Sequence, residues 1–370
     1  MRNFLLSLFI QCLLIIFGSI SSQSLRAEVH RSSKECRVCH QKTYKEWAQS
    51  AHAHSWCNPA FQERYQRMDR PQECAACHAP LPINETGLCK KPKARQHNRV
   101  DGVSCITCHS EGPIVHGPRG VQRSGLSCQN KALKTPQSCA PCHSNSCRCF
   151  TRFKGLHSRQ LGQWHESPYR FTVSCQECHM PERVDRVANM RIPNLPLRKV
   201  HSHDFLGADD ASFIRDAIEF KIERQEDELL LSIVNANAGH SLPASEGRSL
   251  IIRLCFLDDA NLELEHRTEC LDSPHQSQIR AGGSRVYSYL LQEGWRRVKL
   301  SVLFRHYPEQ PERHWLLLHH RIFDLQRKFK KPPLHPIAEE LRLKRKRRKR
   351  IRLELKKKTQ VNEWGETADN

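Results

Sequence analysis

The stretch Val173–Pro181, "VSCQECHMP", sets two cysteines three positions apart and puts a histidine directly after the second. The same frame stands at Cys36, Cys39 and His40; at Cys74, Cys77 and His78; at Cys105, Cys108 and His109; and at Cys139, Cys142 and His143, before its last copy at Cys175, Cys178 and His179. With 18 Cys and 22 His among 370 residues, random placement gives roughly 0.05 such frames, so the five copies are no accident of composition. Successive frames begin 38, 31, 34 and 36 residues apart, a loose internal repeat across the N-terminal half of the chain.

Chemistry explains the spacing. Two thiols separated by two residues can add to the two vinyl groups of one porphyrin, and the next residue then brings an imidazole under the iron. Each frame therefore reads as a covalent haem c site, with its cysteines as tethers and its histidine as proximal iron ligand. A zinc module would place its second ligand pair a dozen or more residues away, and a redox-active dithiol needs no histidine. A hydrophobic fraction of 38% is low for one large packed core. Five macrocycles would supply the missing apolar interior, which predicts a mainly helical and irregular domain packed on its cofactors.

The chain opens MRN, runs through the apolar stretch Phe4–Ile20 and reaches Leu25-Arg26-Ala27, the order of a secretory leader. The mature protein is expected to begin near Glu28, in the periplasm or another exported compartment. An uncleaved leader, the alternative, would keep it at the membrane. Outside the leader and the frames stand Cys57, Cys89, Cys128, Cys147, Cys149, Cys255 and Cys270. In an oxidising compartment Cys255 and Cys270 are candidate disulfide partners, and the odd number leaves at least one thiol over.

Porphyrin and proximal histidine fill five positions on iron, so the sixth decides the role: a second histidine closes the site for electron transfer, and an open position admits a substrate. His52, His116, His201, His203 and His240 are the candidate sixth ligands, with His54, His97, His157 and His165 also within reach of the frames in sequence. For any one of them, an exposed or propionate-bonding imidazole is the competing role. A Trp-x-x-Ser unit occurs twice, as Trp47, Ser50, His52 and as Trp164, Ser167, Tyr169. The second copy has tyrosine where the first has a candidate ligand, so an iron on the fifth frame is expected to take its sixth ligand from elsewhere or to have none.

The segments "CRVCHQKTYKEWAQSAHA", "DGVSCITCH" with "HGPRG" behind it, "SCAPCH" and "GQWHESPYRFTVSCQECHMP" resemble the multihaem cytochrome c-554 (c-552/4-like) family from about Glu35 to Gly207. The resemblance implies a periplasmic electron carrier with closely stacked, mostly bis-histidine haems, and it carries the distal role onto His52. Longer relatives follow "HSHDFLGA" with a β domain bearing a Gly-His-x-x-Pro loop, here "NAGHSLPASEGR". This chain has Ala244-Ser245 where those relatives often continue with Thr-Gly, which leaves the role of His240 open.

Beyond Ala211 the pattern changes to short alternating runs, "AIEFKIE", "ELLLSIV", "SLIIRLCFL", "SRVYSYLL" and "VKLSVLF", the signature of strands in an antiparallel β-sandwich-like domain. The expected division is a leader over 1–27, a pentahaem cytochrome c domain over 28–207, the β domain over 211–310 and a basic tail over 311–370. Between Arg342 and Lys358 lie twelve Lys or Arg and one Glu, a net +11 of the chain's +20. Export argues against nucleic acid as the partner, and an anionic membrane surface or an acidic redox partner suits the run better. The leading expectation is a carrier passing electrons between redox proteins along five haems. The alternative is a catalytic oxidoreductase of small nitrogen or sulfur compounds with one open iron; a docking subunit of a larger redox complex is a third.

Overall fold

The computed structural model describes residues 32–69, 71–88, 90–118, 127–144, 160–188, 195–245, 247–272 and 277–326. The leader, Cys89, Cys147, Cys149, His157 and the basic run Arg342–Lys358 lie outside the described residues.

Up to Gly207 the chain forms short helices joined by irregular backbone. The third and fifth frames are helical throughout, Cys105–His109 and Cys175–His179, and the second ends the helix Pro71–His78. In the first and fourth, His40 N donates to Cys36 O and His143 N to Cys139 O, both at 2.9 Å. One helical turn puts residues i, i+3 and i+4 on the same face, so the spacing presents both thiols and the imidazole to one side. Ser174 starts the fifth frame with a reciprocal cap: its Oγ accepts from Glu177 N at 3.2 Å, and its own N donates to the Glu177 carboxylate at 2.7 Å.

Polar stitches join the frames. Asp101 is buried and accepts from Ser33 N at 2.8 Å and Ser32 Oγ at 3.0 Å, tying the approach to the first frame to that of the third. Arg95, 1% exposed, spends all its guanidinium donors on the carbonyls of Pro80, His97, Asn98 and Gly102 and on Ser104 Oγ. Short strands fill in between. β1 (Ser110–Glu111) pairs antiparallel with β2 (Ile114–Gly117), β3 (Ser127–Gln129) runs parallel to β2, and β4 (Glu182–Asp185) and β5 (Arg198–His201) form an antiparallel pair.

Asp210 caps the helix Ala211–Ala217, which feeds directly into the β half. β6 (Ile218–Gln225), β7 (Glu228–Asn235) and β10 (Ser284–Leu290) make one antiparallel sheet in the order β10-β7-β6. β8 (Ser249–Leu257), β9 (Glu263–Asp272), β11 (Arg297–Arg305) and β12 (Leu316–Asp324) make a second, in the order β12-β11-β8-β9. Alternation along β7 and β11 turns Leu229, Leu231 and Ile233 of the first sheet, and Val298, Leu300 and Val302 of the second, into one hydrophobic cluster.

Two expectations change. Cys255 and Cys270 are not joined: Cys255 sits opposite His266 and Cys270 opposite Ile251 in the β8–β9 ladder. Four residues along a strand separate them by about 13 Å, beyond the roughly 7 Å Cα limit of a disulfide. The β half also runs past residue 310, because β12 pairs with β11 over Leu316–Asp324.

Candidate functional site

The frame histidines share one arrangement. Nδ1 of His40 lies 2.8 Å from Val187 O, that of His78 2.8 Å from Ser55 O, that of His109 2.8 Å from His116 O, and that of His179 2.5 Å from Leu206 O. His143 instead lies beside the Gln160 side chain. An imidazole that donates Nδ1–H to a carbonyl is fixed in the tautomer that leaves the Nε2 lone pair for a metal, the usual support of a ligating histidine. Burial lowers the pKa of His78, His109 and His179, and burial with the neighbouring His179 pushes His143 down to about 4.

Opposite three of these rings stands a second imidazole. Ring centres are 6.3 Å apart for His52 and His143, 6.2 Å for His179 and His240, and 6.1 Å for His109 and His203. Two metal–nitrogen bonds of about 2.0 Å, plus about 1.1 Å from each nitrogen to its ring centre, put two imidazoles on one iron roughly 6.2 Å apart. The spacing of the ring centres thus fits two imidazoles on one metal. Burial, reinforced by nearby imidazoles, pushes His52 and His203 down to about 3 and His240 to about 4, so these rings are neutral at neutral pH. His52 Nδ1 is buried without a hydrogen-bond partner.

The segment His201–Gly207 braces this region. His203 faces His109, the Phe205 ring meets His52 edge-on at 4.3 Å, and the Leu206 carbonyl receives His179. Thiols of different frames meet as well: Cys36 with Cys105, Cys77 with Cys142, and Cys139 with Cys175. The first and third frames are therefore neighbours, and the fourth adjoins both the second and the fifth. Gln176, an intervening residue of the fifth frame, reaches back to Thr135 O at 2.8 Å and Ser138 Oγ at 3.2 Å, just ahead of the fourth.

The two Trp-x-x-Ser copies are alike in three dimensions. Trp47 Nε1 donates to Val103 O at 2.8 Å, and Trp164 Nε1 to Val173 O at 2.9 Å. Each acceptor lies two residues before the first cysteine of a frame, the third in one case and the fifth in the other. Ser50 and Ser167 each return their hydroxyl to the tryptophan carbonyl, at 2.7 and 2.8 Å. Beyond that the copies part. His52 turns to His143, whereas the Tyr169 hydroxyl donates to Ala236 O in the β half.

A family model described as "Cytochrome c554 and c-prime" matches residues 35–110. The fold is similar to that of a penta-haem cytochrome c552 from Thermochromatium tepidum, with a TM-score of 0.58 and 16% identity over 80% of this chain and 98% of that one. No curated protein matches the chain. The N-terminal half is multihaem-cytochrome-like, and the β-rich half is a distinct domain. The family match, over residues 35–110, supports haem iron as a cofactor in general terms. Among the described residues no group of three or more His, Cys, Asp or Glu is arranged to hold a metal ion. No described helix is long and apolar enough to cross a membrane.

The remaining histidines stand elsewhere. His116 is buried, with Nδ1 unpartnered and Nε2 3.1 Å from Glu111 Oε2 outside hydrogen-bond geometry. His201 is half-buried and engages Met180 O through Nδ1 at 2.6 Å. His54, His97 and His165 are exposed. Among the functional elements, the carbonyl acceptors behind the frame histidines are invisible to sequence reading, because any residue type supplies a carbonyl.

Proposed function

We propose that the chain is an exported pentahaem c-type cytochrome that carries electrons between redox proteins. The observation that supports it best is the set of histidine pairs spaced for one iron each: His109 with His203, His143 with His52, and His179 with His240. In this reading the ten frame cysteines tether the five haems, and His40 and His78 are the proximal ligands of the first two. Bound haem iron supplies the one-electron couple. At the three paired sites burial keeps the imidazoles neutral, Nδ1 hydrogen bonds orient His109, His179, His203 and His240, and two histidine ligands on one iron would leave no position for substrate. Thiol contacts between frames would set the macrocycles in two groups, the first beside the third and the fourth beside the second and fifth. His116 and His201 remain candidates for the two other irons. The β half, which we read as sandwich-like, contributes His240. The leader would deliver the chain for haem attachment outside the cytoplasm, and the basic tail would serve an anionic membrane or an acidic partner.

The test is production in a host competent for cytochrome maturation. The mature protein should show a Soret band, a mass increase of five haems, and paramagnetic resonance dominated by low-spin ferric iron. Absence of attached tetrapyrrole would end the proposal, and a majority of high-spin iron would end the carrier reading.

A further inference from the structure

His240 does not reach His179 unaided. It lies on the Ala236–Ser245 loop of the β half, and the second Trp-x-x-Ser copy grips that loop at several points. The Tyr169 hydroxyl, on a side chain only 2% exposed, donates to Ala236 O. Gly239 packs so closely on Trp164 that a Cβ added there would stand 3.0 Å from the indole Cδ1. Gln163 Oε1 accepts from Ser241 N at 3.1 Å, and Gln160 Nε2 donates to Ala244 O at 3.0 Å. From within the β half, Asn235 Nδ2 holds the His240 carbonyl at 2.8 Å.

The first copy supplies its histidine directly from the same position in the motif. The second has exchanged that histidine for Tyr169, and the tyrosine holds the strand end that carries a histidine in from another domain.

We propose that Tyr169 is a positioning residue for His240: its hydroxyl latches the β-half loop so that the second imidazole stays opposite His179. This rests on the ligand pairing proposed above. The latch makes the fifth-frame site a shared product of the two halves, dependent on their docking, whereas the His52–His143 and His109–His203 sites belong to the N-terminal half alone.

The experiment compares ferrous holoprotein variants by carbon monoxide capture, since a ligand must leave before the gas can bind, together with ferric low-spin resonance signals. Against the native protein, His240→Ala should open one additional haem to carbon monoxide. Tyr169→Phe should leave that haem low-spin but raise its capture rate roughly five- to tenfold, the factor expected for one lost buried hydrogen bond. Gly239→Ala, which displaces the same loop without touching the hydroxyl, should act in the same direction. Tyr289→Phe, which removes a β-half hydroxyl bonded to Glu269 at 3.1 Å, should leave capture at the native rate. Native capture rates in both Tyr169→Phe and Gly239→Ala, with an opened site in His240→Ala, would overturn the latch and leave the pairing standing. An unopened site in His240→Ala would overturn both.

Discussion

The two halves of the molecule are held together by different materials. Among the described residues the β half buries twenty-three hydrophobic side chains, many of them Leu, Ile and Val at 0–4% exposure; the N-terminal half buries ten, of which five are alanine. Alanine contributes little apolar area, so buried side chains stabilise the N-terminal half much less than the β half. Its stitches are polar: Arg95 with five hydrogen bonds, Asp101 with two, and the carbonyls behind the frame histidines. The difference teaches that one half can fold on side chains alone, whereas the other, on the function proposed above, would need its haems to do so.

Removing the cofactor should break that comparison most sharply. Chain made without haem attachment is expected to keep a protease-resistant core over about residues 211–326 and to be cut throughout 32–207. Mapping the fragments by mass checks this, and equal resistance in both halves would contradict it. The converse substitution is smaller. Phe256 is fully buried and stacks on Trp295 with ring centres 3.7 Å apart, so Phe256→Ala should cost about 3–5 kcal/mol. Chemical unfolding followed by far-ultraviolet dichroism should show the loss in the β transition, with the Soret-detected transition of the N-terminal half much less affected.

Within the N-terminal half a single methyl group should sharpen the contrast. Gly102 has φ +56°, and a Cβ there would lie 2.4 Å from the His52 carbonyl and 2.6 Å from that of Ala53. Gly112 has nearly the same φ, +55°, and open space around it. Gly112→Ala should therefore cost only the left-handed backbone penalty, about 1–2 kcal/mol. Gly102→Ala adds a backbone collision and should exceed it by at least about 1–2 kcal/mol, with the low-spin signal of the His52–His143 site altered as well. Thermal unfolding of the two holoproteins, with their ferric spectra, decides between them.

Much of this was readable in the residues, for physical reasons that also mark the limits. The Cys-x-x-Cys-His frames were legible because the helical repeat and the width of a porphyrin leave few other spacings. The strands β6, β7, β8, β10 and β11 announced themselves by alternation or by a continuous apolar run. β9 and β12 did not. β9 is an edge strand of Glu, His, Arg and Thr with mostly exposed side chains, and β12 carries His319, His320 and Arg321 through its middle; edge strands are protected by such polar residues. The five candidate second ligands were named mainly from histidine supply, with His52 also implied by the resemblance to the cytochrome c-554 family. Which of them faces which frame depended on contacts far apart in the chain, such as His240 with His179, that no local pattern encodes.

The smallest effect bears on the two tryptophan copies, where the chain repeats itself inside one half. Trp47 and Trp164 make the same indole hydrogen bond to the residue two before a frame, at 2.8 and 2.9 Å, so replacing either with phenylalanine removes one donor from a backbone carbonyl. Each change should cost about 1 kcal/mol, and equal losses in thermal stability would mark the two units as equivalent supports. Their spectra should nevertheless differ. Trp47→Phe loosens the helix Gln41–Gln49, which leads through Ser50 into the turn Ala51–His54 carrying His52, and should disturb the His52–His143 site, whereas Trp164→Phe also removes the surface against which Gly239 packs and should disturb the His179–His240 site. Low-spin resonance lines that shift identically in both variants would mean that the copies act on a common element, and the division of labour between a direct histidine and a borrowed one would be lost.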